Sequence, residues 1–217
     1  MLTLHYFPGN ASLMPHMLLE ELGAPYRLAL VDRAVNAHRS PDYLRLNPNG
    51  KIPVLVEDRP DGELVIYETA AIVLHLLDAH PATPLVPPPR SPARAHFYKW
   101  LAWLAATLQA EMPLYFYSER WAETPEGTAA VKLHAQARIA GLVDQIEAEL
   151  ARHGGPWLLG QTYTALDPYA LMLCRWTRGM DRPARMLPHI GAYLQRVLAR
   201  PAVQRAFAQE GLGAPLV

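Results

Sequence analysis

The stretch YFPGNASLMPHMLLEELG, residues 6–23, brings Tyr6, Asn10 and Ser12 to the entrance of what reads as a helix. Pro15 fits only the first turn, where backbone N–H groups have no intrahelical partner, so the helix starts close to Ser12. Such a terminus carries about half a positive charge and free N–H donors, and it can hold an anion, a thiolate included. A second cluster, Glu68-Thr69, opens the run TAAIVLHLLDAH with an acceptor side chain, a hydroxyl and the free N–H groups of a helix start. The same pair also suits a plain helix cap, with Glu68 favoured by the dipole. Thr164 and Asp167 stand at capping-box spacing before the apolar run DPYALMLCRW, and both are read as structural.

Other chemistries find little support. Nine histidines occur without HExxH, CxxC or a regular ligand spacing, so no metal site is expected. The single cysteine, Cys174, lies inside a helical pattern and is expected to be a buried structural thiol, with no internal disulfide framework. Twenty basic and twenty acidic residues give no electrostatic case for nucleic acid. Their placement is uneven: residues 1–80 carry 6 Lys+Arg and 10 Asp+Glu, and the remainder 14 and 10. A two-fold pairing of unlike halves would match these signs and so suggests a homodimer, although solvated faces explain them as well. Arg175, Arg178, Arg182 and Arg185 in RWTRGMDRPAR read as a solvated helix end or loop rather than an anion site. No stretch approaches the roughly 20 apolar residues of a membrane span, and no signal-type leader opens the chain, so a cytoplasmic protein without membrane partners is expected.

The elements that must position these groups follow from periodicity. Leu2, Leu4 and Tyr6 alternate as a strand, a helix follows to Gly23, and RLALV is a second strand. A polar stretch with a short helix near Pro41–Leu46 precedes KIPVLVED and ELVIYE, two strands joined through Arg59-Pro60-Asp61-Gly62 as an antiparallel hairpin. A helix from Thr69 closes this α/β domain, residues 1–80. Residues 81–92 are proline-rich and are taken as a linker, and 93–217 as one all-helical domain of five segments.

This order resembles the glutathione transferase family, in which a thioredoxin-like domain precedes an all-helical one. LHYFPGNASLMPH is similar to the start of the bacterial beta class, NPNGKIPVL to the loop before the family's cis-proline, YETAAIVLHL to its Glu-Ser segment, and WLLGQTYTALDPYAL to the opening of its buried helix. The resemblance implies that glutathione, as co-substrate, pairs with the backbone of Ile52 beside cis-Pro53, as a peptide adds to a strand. It further implies that Glu68 and Thr69 hold the γ-glutamyl end, and that Lys51, Asn36 and His38, with Arg39 nearby, flank the glycine end. The beta-class cysteine aligns with Ala11, and the family's histidine with Gln109, so a mixed disulfide at the loop is not expected. Ser12, then Asn10, then Tyr6 are the candidates for holding the thiolate. Met112, Tyr115, Phe116 and Trp121 are candidates for binding a small hydrophobic electrophile, or else are helix core. The activity so implied is glutathione transfer; a non-catalytic binding protein of the same fold, or a glutathione-dependent isomerase, are the alternatives.

Overall fold

The computed structural model describes residues 1–217, and the chain divides into two compact units, Met1–Leu85 with Leu198–Ala214, and Val86–Val197 with Pro215–Val217. In the first unit, β1 (Leu2–Tyr6) passes through a tight loop into α1 (Leu13–Leu22), which Gly23 ends in the left-handed region at φ 62°. A helical crossover returns the chain parallel to its start, so β2 (Tyr26–Leu30) lies parallel to β1, with Leu4 opposite Leu28. After α2 (Pro41–Leu46), capped by the Ser40 hydroxyl, β3 (Val54–Arg59) pairs antiparallel with β1, and β4 (Gly62–Tyr67) with β3. The sheet order is β2-β1-β3-β4. Arg59 and Gly62, expected in the hairpin turn, form the last pair of the ladder, leaving Pro60 and Asp61 as the turn. On one side of the sheet Val31, Tyr43, Ile52, Val54 and Val56 form a core cluster, and α3 (Thr69–Ala79) packs with α1.

The second unit holds α4 (Pro92–Trp103), α5 (Gln109–Phe116), α6 (Pro125–His153), α7 (Leu166–Trp176) and α8 (Pro188–Leu198). A π-helical turn, Leu104–Leu108, joins α4 to α5, so the expected single helix is widened in the middle. The sequence reading placed everything from residue 93 onward in this unit. Residues 198–214 belong instead with the first unit. There α9 (Pro201–Gln209) buries Ala202, Val203, Ala206 and Phe207 and packs on α1. Arg200 pairs with Glu21 at 2.5 Å and Arg205 with Glu20 at 2.6 Å, which fixes the helix there. An amphipathic pattern tells that a face is buried but not against what.

The arginine-rich segment is solvated in part: Arg178 and Arg182 are exposed, whereas Arg175 and Arg185 are tied to the end of the chain. Arg175 is buried and donates to the Pro215 and Leu216 carbonyls, Arg185 donates to the Val217 carbonyl at 3.1 Å, and Arg182 pairs with Asp144. Cys174 is buried, and desolvation pushes its thiol up to about 12, which leaves it unreactive.

α7 is buried from Leu166 to Arg175, so its start cannot rely on water. Asp167 supplies the partners: Oδ2 accepts the Thr164 N–H at 2.7 Å, and Oδ1 accepts the Leu158 N–H at 2.9 Å and the Tyr193 hydroxyl at 3.0 Å. The Thr164 hydroxyl contributes less, meeting the Leu166 N–H at 3.4 Å. Burial raises the Asp167 carboxyl to about 6, against the pull of these donors. A carboxyl raised on folding contributes stability that is fully present below about pH 4 and is lost as pH rises through about 6. Asp167→Asn should lower the melting temperature at every pH. The wild-type advantage over this variant should widen as pH falls from 7 toward 4; an advantage independent of pH contradicts the assignment.

Candidate functional site

The loop between β1 and α1 is a β-turn. The Asn10 N–H donates to the Phe7 carbonyl at 3.1 Å, Pro8 and Gly9 occupy the corner positions, and Gly9 has φ 67°. The Asn10 side chain is oriented by its own Oδ1, which accepts the Ala11 N–H at 2.7 Å. Its Nδ2 donates to nothing in the chain and is partly exposed, leaving a directed amide donor at the entrance of α1. Tyr6, at the end of β1, is partly buried with its ring 6.4 Å from that of His16.

Ser12 lies differently from what its sequence position suggests. It is 0% exposed, and its hydroxyl both donates to the Phe7 carbonyl and accepts the Phe7 N–H, each at 3.2 Å. An oxygen with no accessible surface cannot touch a sulfur larger than the water probe, so the expectation that Ser12 is the leading thiolate donor is corrected. Nor does Ser12 cap α1, since its side chain makes no capping bond. Its work is to staple the loop to the strand end.

On the neighbouring segment the Ile52-Pro53 bond is cis, as expected. The Lys51 carbonyl is held by the Tyr43 hydroxyl at 2.8 Å and by Asn47 Nδ2 at 2.9 Å, while Asn47 Oδ1 accepts the Asn49 N–H at 3.0 Å. With Lys51 fixed in this way, the main-chain N–H and C=O of Ile52 are left without any hydrogen bond in the chain. Gly50, at φ 59°, admits the 36–39 loop: a Cβ there would stand 2.9 Å from both the His38 carbonyl oxygen and the Arg39 guanidinium. Asn36, left-handed at φ 55°, and Lys51 are exposed, and His38 is half-buried.

Glu68 has φ 74° and ψ 116°, a conformation that side-chain-bearing residues rarely adopt and that tends to persist at ligand sites. Its carboxylate makes no capping bond and is exposed, so the plain-cap reading fails for the side chain. Thr69, buried, begins α3, whose first-turn N–H groups lack intrahelical acceptors. The first unit thus offers, at the entry to the central strand β3 and at two helix starts, a carboxylate, free N–H donors, an unpaired strand-like N–H and C=O, and an amide donor.

Two family models match the chain: the glutathione S-transferase N-terminal domain over residues 11–79 and the C-terminal domain over residues 104–201. Glutathione S-transferase GST-4.5 of Xanthomonas campestris is 33% identical over 97% of this chain and 100% of its own. Glutathione S-transferase GstA of Escherichia coli is 31% identical over the same shares. The chain belongs to the glutathione S-transferase family. A glutathione transferase homologue from Sulfitobacter, solved with bound glutathione, superposes with a TM-score of 0.86 at 28% identity, over 98% of this chain and 99% of that one. The glutathione S-transferase fold, a thioredoxin-like mixed sheet followed by a helical domain, accounts for the element order described above.

In the helical unit of this family member, Gln109 accepts the hydroxyl proton of buried Tyr169 at 2.5 Å. Met112 is 1% exposed and belongs to the core, which corrects its place among the electrophile contacts. Tyr115 and Phe116 meet edge to face at 5.1 Å, and Phe116 reaches Trp176 at 6.4 Å, so they form an aromatic group. Trp121 is exposed but makes no ring contact with them. Sequence reasoning missed Asn47 and Tyr43, whose only signal was the turn NPNG and a short helix. It also missed Glu210, whose carboxylate accepts the Gly9 N–H at 2.7 Å across 201 positions of sequence.

Ser12→Ala removes two hydrogen bonds without exposing a cavity to solvent, and it should cost about 1–3 kcal/mol of stability. Conjugation per folded molecule should stay within about twofold, well under the tenfold that 1.4 kcal/mol of transition-state loss would give. A tenfold fall in kcat at unchanged melting temperature restores Ser12 to the chemistry.

Proposed function

We propose that this family member is a glutathione transferase of bacterial beta-class-like type, working without the class cysteine, that activates the glutathione thiol by hydrogen bonding. The observation that carries the reading is the unpaired N–H and C=O of Ile52 beside the unoccupied first-turn donors of α3. A tripeptide laid along Ile52 exchanges two main-chain hydrogen bonds with it, as in strand addition. Its γ-glutamyl carboxylate then takes the first-turn N–H groups with the Thr69 hydroxyl, and its ammonium takes Glu68. Lys51, His38 and Asn36 stand for the glycine carboxylate, and no metal is part of this reading.

The thiol of such a ligand, with an ordinary pKa of about 8.5, is mostly protonated at neutral pH, and a donor aimed at sulfur raises the reactive thiolate fraction. Asn10 Nδ2 fits this task, Tyr6 is second, and Ala11 has no group to offer. An apolar electrophile finds surface at Tyr115 and Phe116. Opposite charge excess in the two parts of the sequence supports a homodimer of these chains, and the reading puts them in the cytoplasm.

Retention on immobilised glutathione with turnover of a chloronitrobenzene supports the enzyme; retention without turnover supports a non-catalytic binder, and failure of both removes the reading. Asn10→Ala should lower kcat about tenfold, or roughly 1.4 kcal/mol, with glutathione affinity kept. Glu68→Gln should weaken glutathione binding by about tenfold with kcat largely kept, through loss of a charge-assisted bond of about 1.5–3 kcal/mol. Wild-type constants in either variant contradict the corresponding role.

A further inference from the structure

The first unit buries an ionisable pair that the chemistry above does not use. The side chains of His16, in α1, and Glu210, just beyond α9, are both 0% exposed, and Nδ1 lies 2.8 Å from Oε1. The other carboxylate oxygen, Oε2, accepts the Gly9 N–H at 2.7 Å. His16 Nε2 faces Gln209 Oε1 at 2.7 Å and the Tyr26 hydroxyl at 3.0 Å. A carboxylate taken wholly out of water is tolerated only when paired and hydrogen-bonded, so both donors are needed to keep it there.

What that carboxylate controls follows from the turn it touches. Residues 7–10 close an i to i+3 turn with Pro8 and then Gly9 at the corner, and φ 67° at Gly9 is the mark of a type II turn. Types I and II differ chiefly by a flip of the peptide plane between the two corner residues, here Pro8–Gly9. The N–H in that plane is the Gly9 N–H, so an acceptor fixed on one side decides which way it faces. Glu210 is such an acceptor. It is delivered by the end of α9, where the Glu210 N–H donates to the Ala206 carbonyl at 3.0 Å and the Leu212 N–H to the Phe207 carbonyl at 2.9 Å, with Gly211 left-handed at φ 65°. Leu212 closes the same side, 3.5 Å from where a Gly9 Cβ would stand.

We propose that Glu210, held by His16, is a positioning residue for glutathione activation: by fixing the Pro8–Gly9 peptide plane it sets the turn that aims the next residue, Asn10, at the thiol. The inference rests on the proposed function. It places a determinant of turnover on the C-terminal helix, in a residue that contacts neither glutathione nor electrophile.

The test is Glu210→Leu, close in size and without an acceptor for the Gly9 N–H, beside Arg205→Ala, which loosens α9 at its 2.6 Å ion pair with Glu20 and leaves both Glu210 contacts in place. Both are assayed for chloronitrobenzene conjugation, for glutathione binding by calorimetry, and for thiolate ultraviolet absorbance of bound glutathione at neutral pH. Glu210→Leu should lower kcat about tenfold and reduce the thiolate absorbance, with glutathione Kd within about threefold. Arg205→Ala should lose melting temperature only. A merely structural role predicts lost stability with kcat and thiolate absorbance per folded molecule unchanged, and that result overturns the proposal. If Glu210→Leu does not fold, Glu210→Asp, which retracts the carboxylate by one methylene, carries the same expectation and the same refutation. A wild-type protein that neither binds nor conjugates glutathione removes the proposed function and this inference together; an active wild type with unaltered variants removes this inference alone.

Discussion

The structure of the site depends on one small accounting fact: the Ile52 N–H and C=O are not used by the fold. Buried or half-buried main-chain groups are nearly always paired, and leaving them open costs free energy unless something else satisfies them. Everything around Ile52 is arranged so that the chain itself does not. Tyr43 and Asn47 take the preceding carbonyl of Lys51, β3 begins only at Val54, and Gly50 lets the 36–39 loop approach closely. The opening ahead of the central strand β3 is therefore built by its neighbours, and a peptide ligand is the natural partner for one N–H and one C=O in strand-like order.

Around that opening the two helix starts differ in how they are finished. α3 begins at a strained Glu68 whose carboxylate is left outside, so its terminus keeps its donors. α1 begins under a turn whose own groups are largely consumed: Ser12 by Phe7, the Ala11 N–H by Asn10, the Gly9 N–H by Glu210. What is left over in the turn is a single side-chain amide, and in the proposed reading that places Asn10 ahead of Ser12. A cysteine at Ala11 would replace this hydrogen-bond chemistry by thiol chemistry. Its absence makes the geometry of the turn more important, because a hydrogen bond loses its value within a few tenths of an ångström and a modest change of angle.

Most of the fold was legible because it is local. Alternation marked β1 and β2, the turn residues marked the hairpin, Pro15 and Gly23 marked the two ends of α1, and Thr164 with Asp167 marked the start of α7. The misplacement of α9 had a single cause. Its amphipathic face is the same whichever helix it meets, and polar contacts select α1: Arg200 and Arg205 against Glu21 and Glu20, and Gln209 and Glu210 against His16. The site was legible in its residue types but not in their allegiances. Ser12 sits at a position where a hydroxyl can cap a helix or hold a ligand, and it does neither, because the Phe7 main chain lies within reach after the turn folds. Met112 and Phe116 share a helical pattern, yet one is core and the other surface. Glu210 could not have been found by spacing, since its partner is 201 residues away.

The central claim is that glutathione binds by completing the Ile52 main chain. Amide hydrogen exchange of Ile52, followed by NMR with and without saturating reduced glutathione, addresses it directly. The account predicts that this amide slows by about tenfold or more on saturation, as for a newly hydrogen-bonded group of about 1.4 kcal/mol, while amides of the β3–β4 ladder change little. Saturable glutathione binding that leaves Ile52 exchange as in the free protein would contradict it.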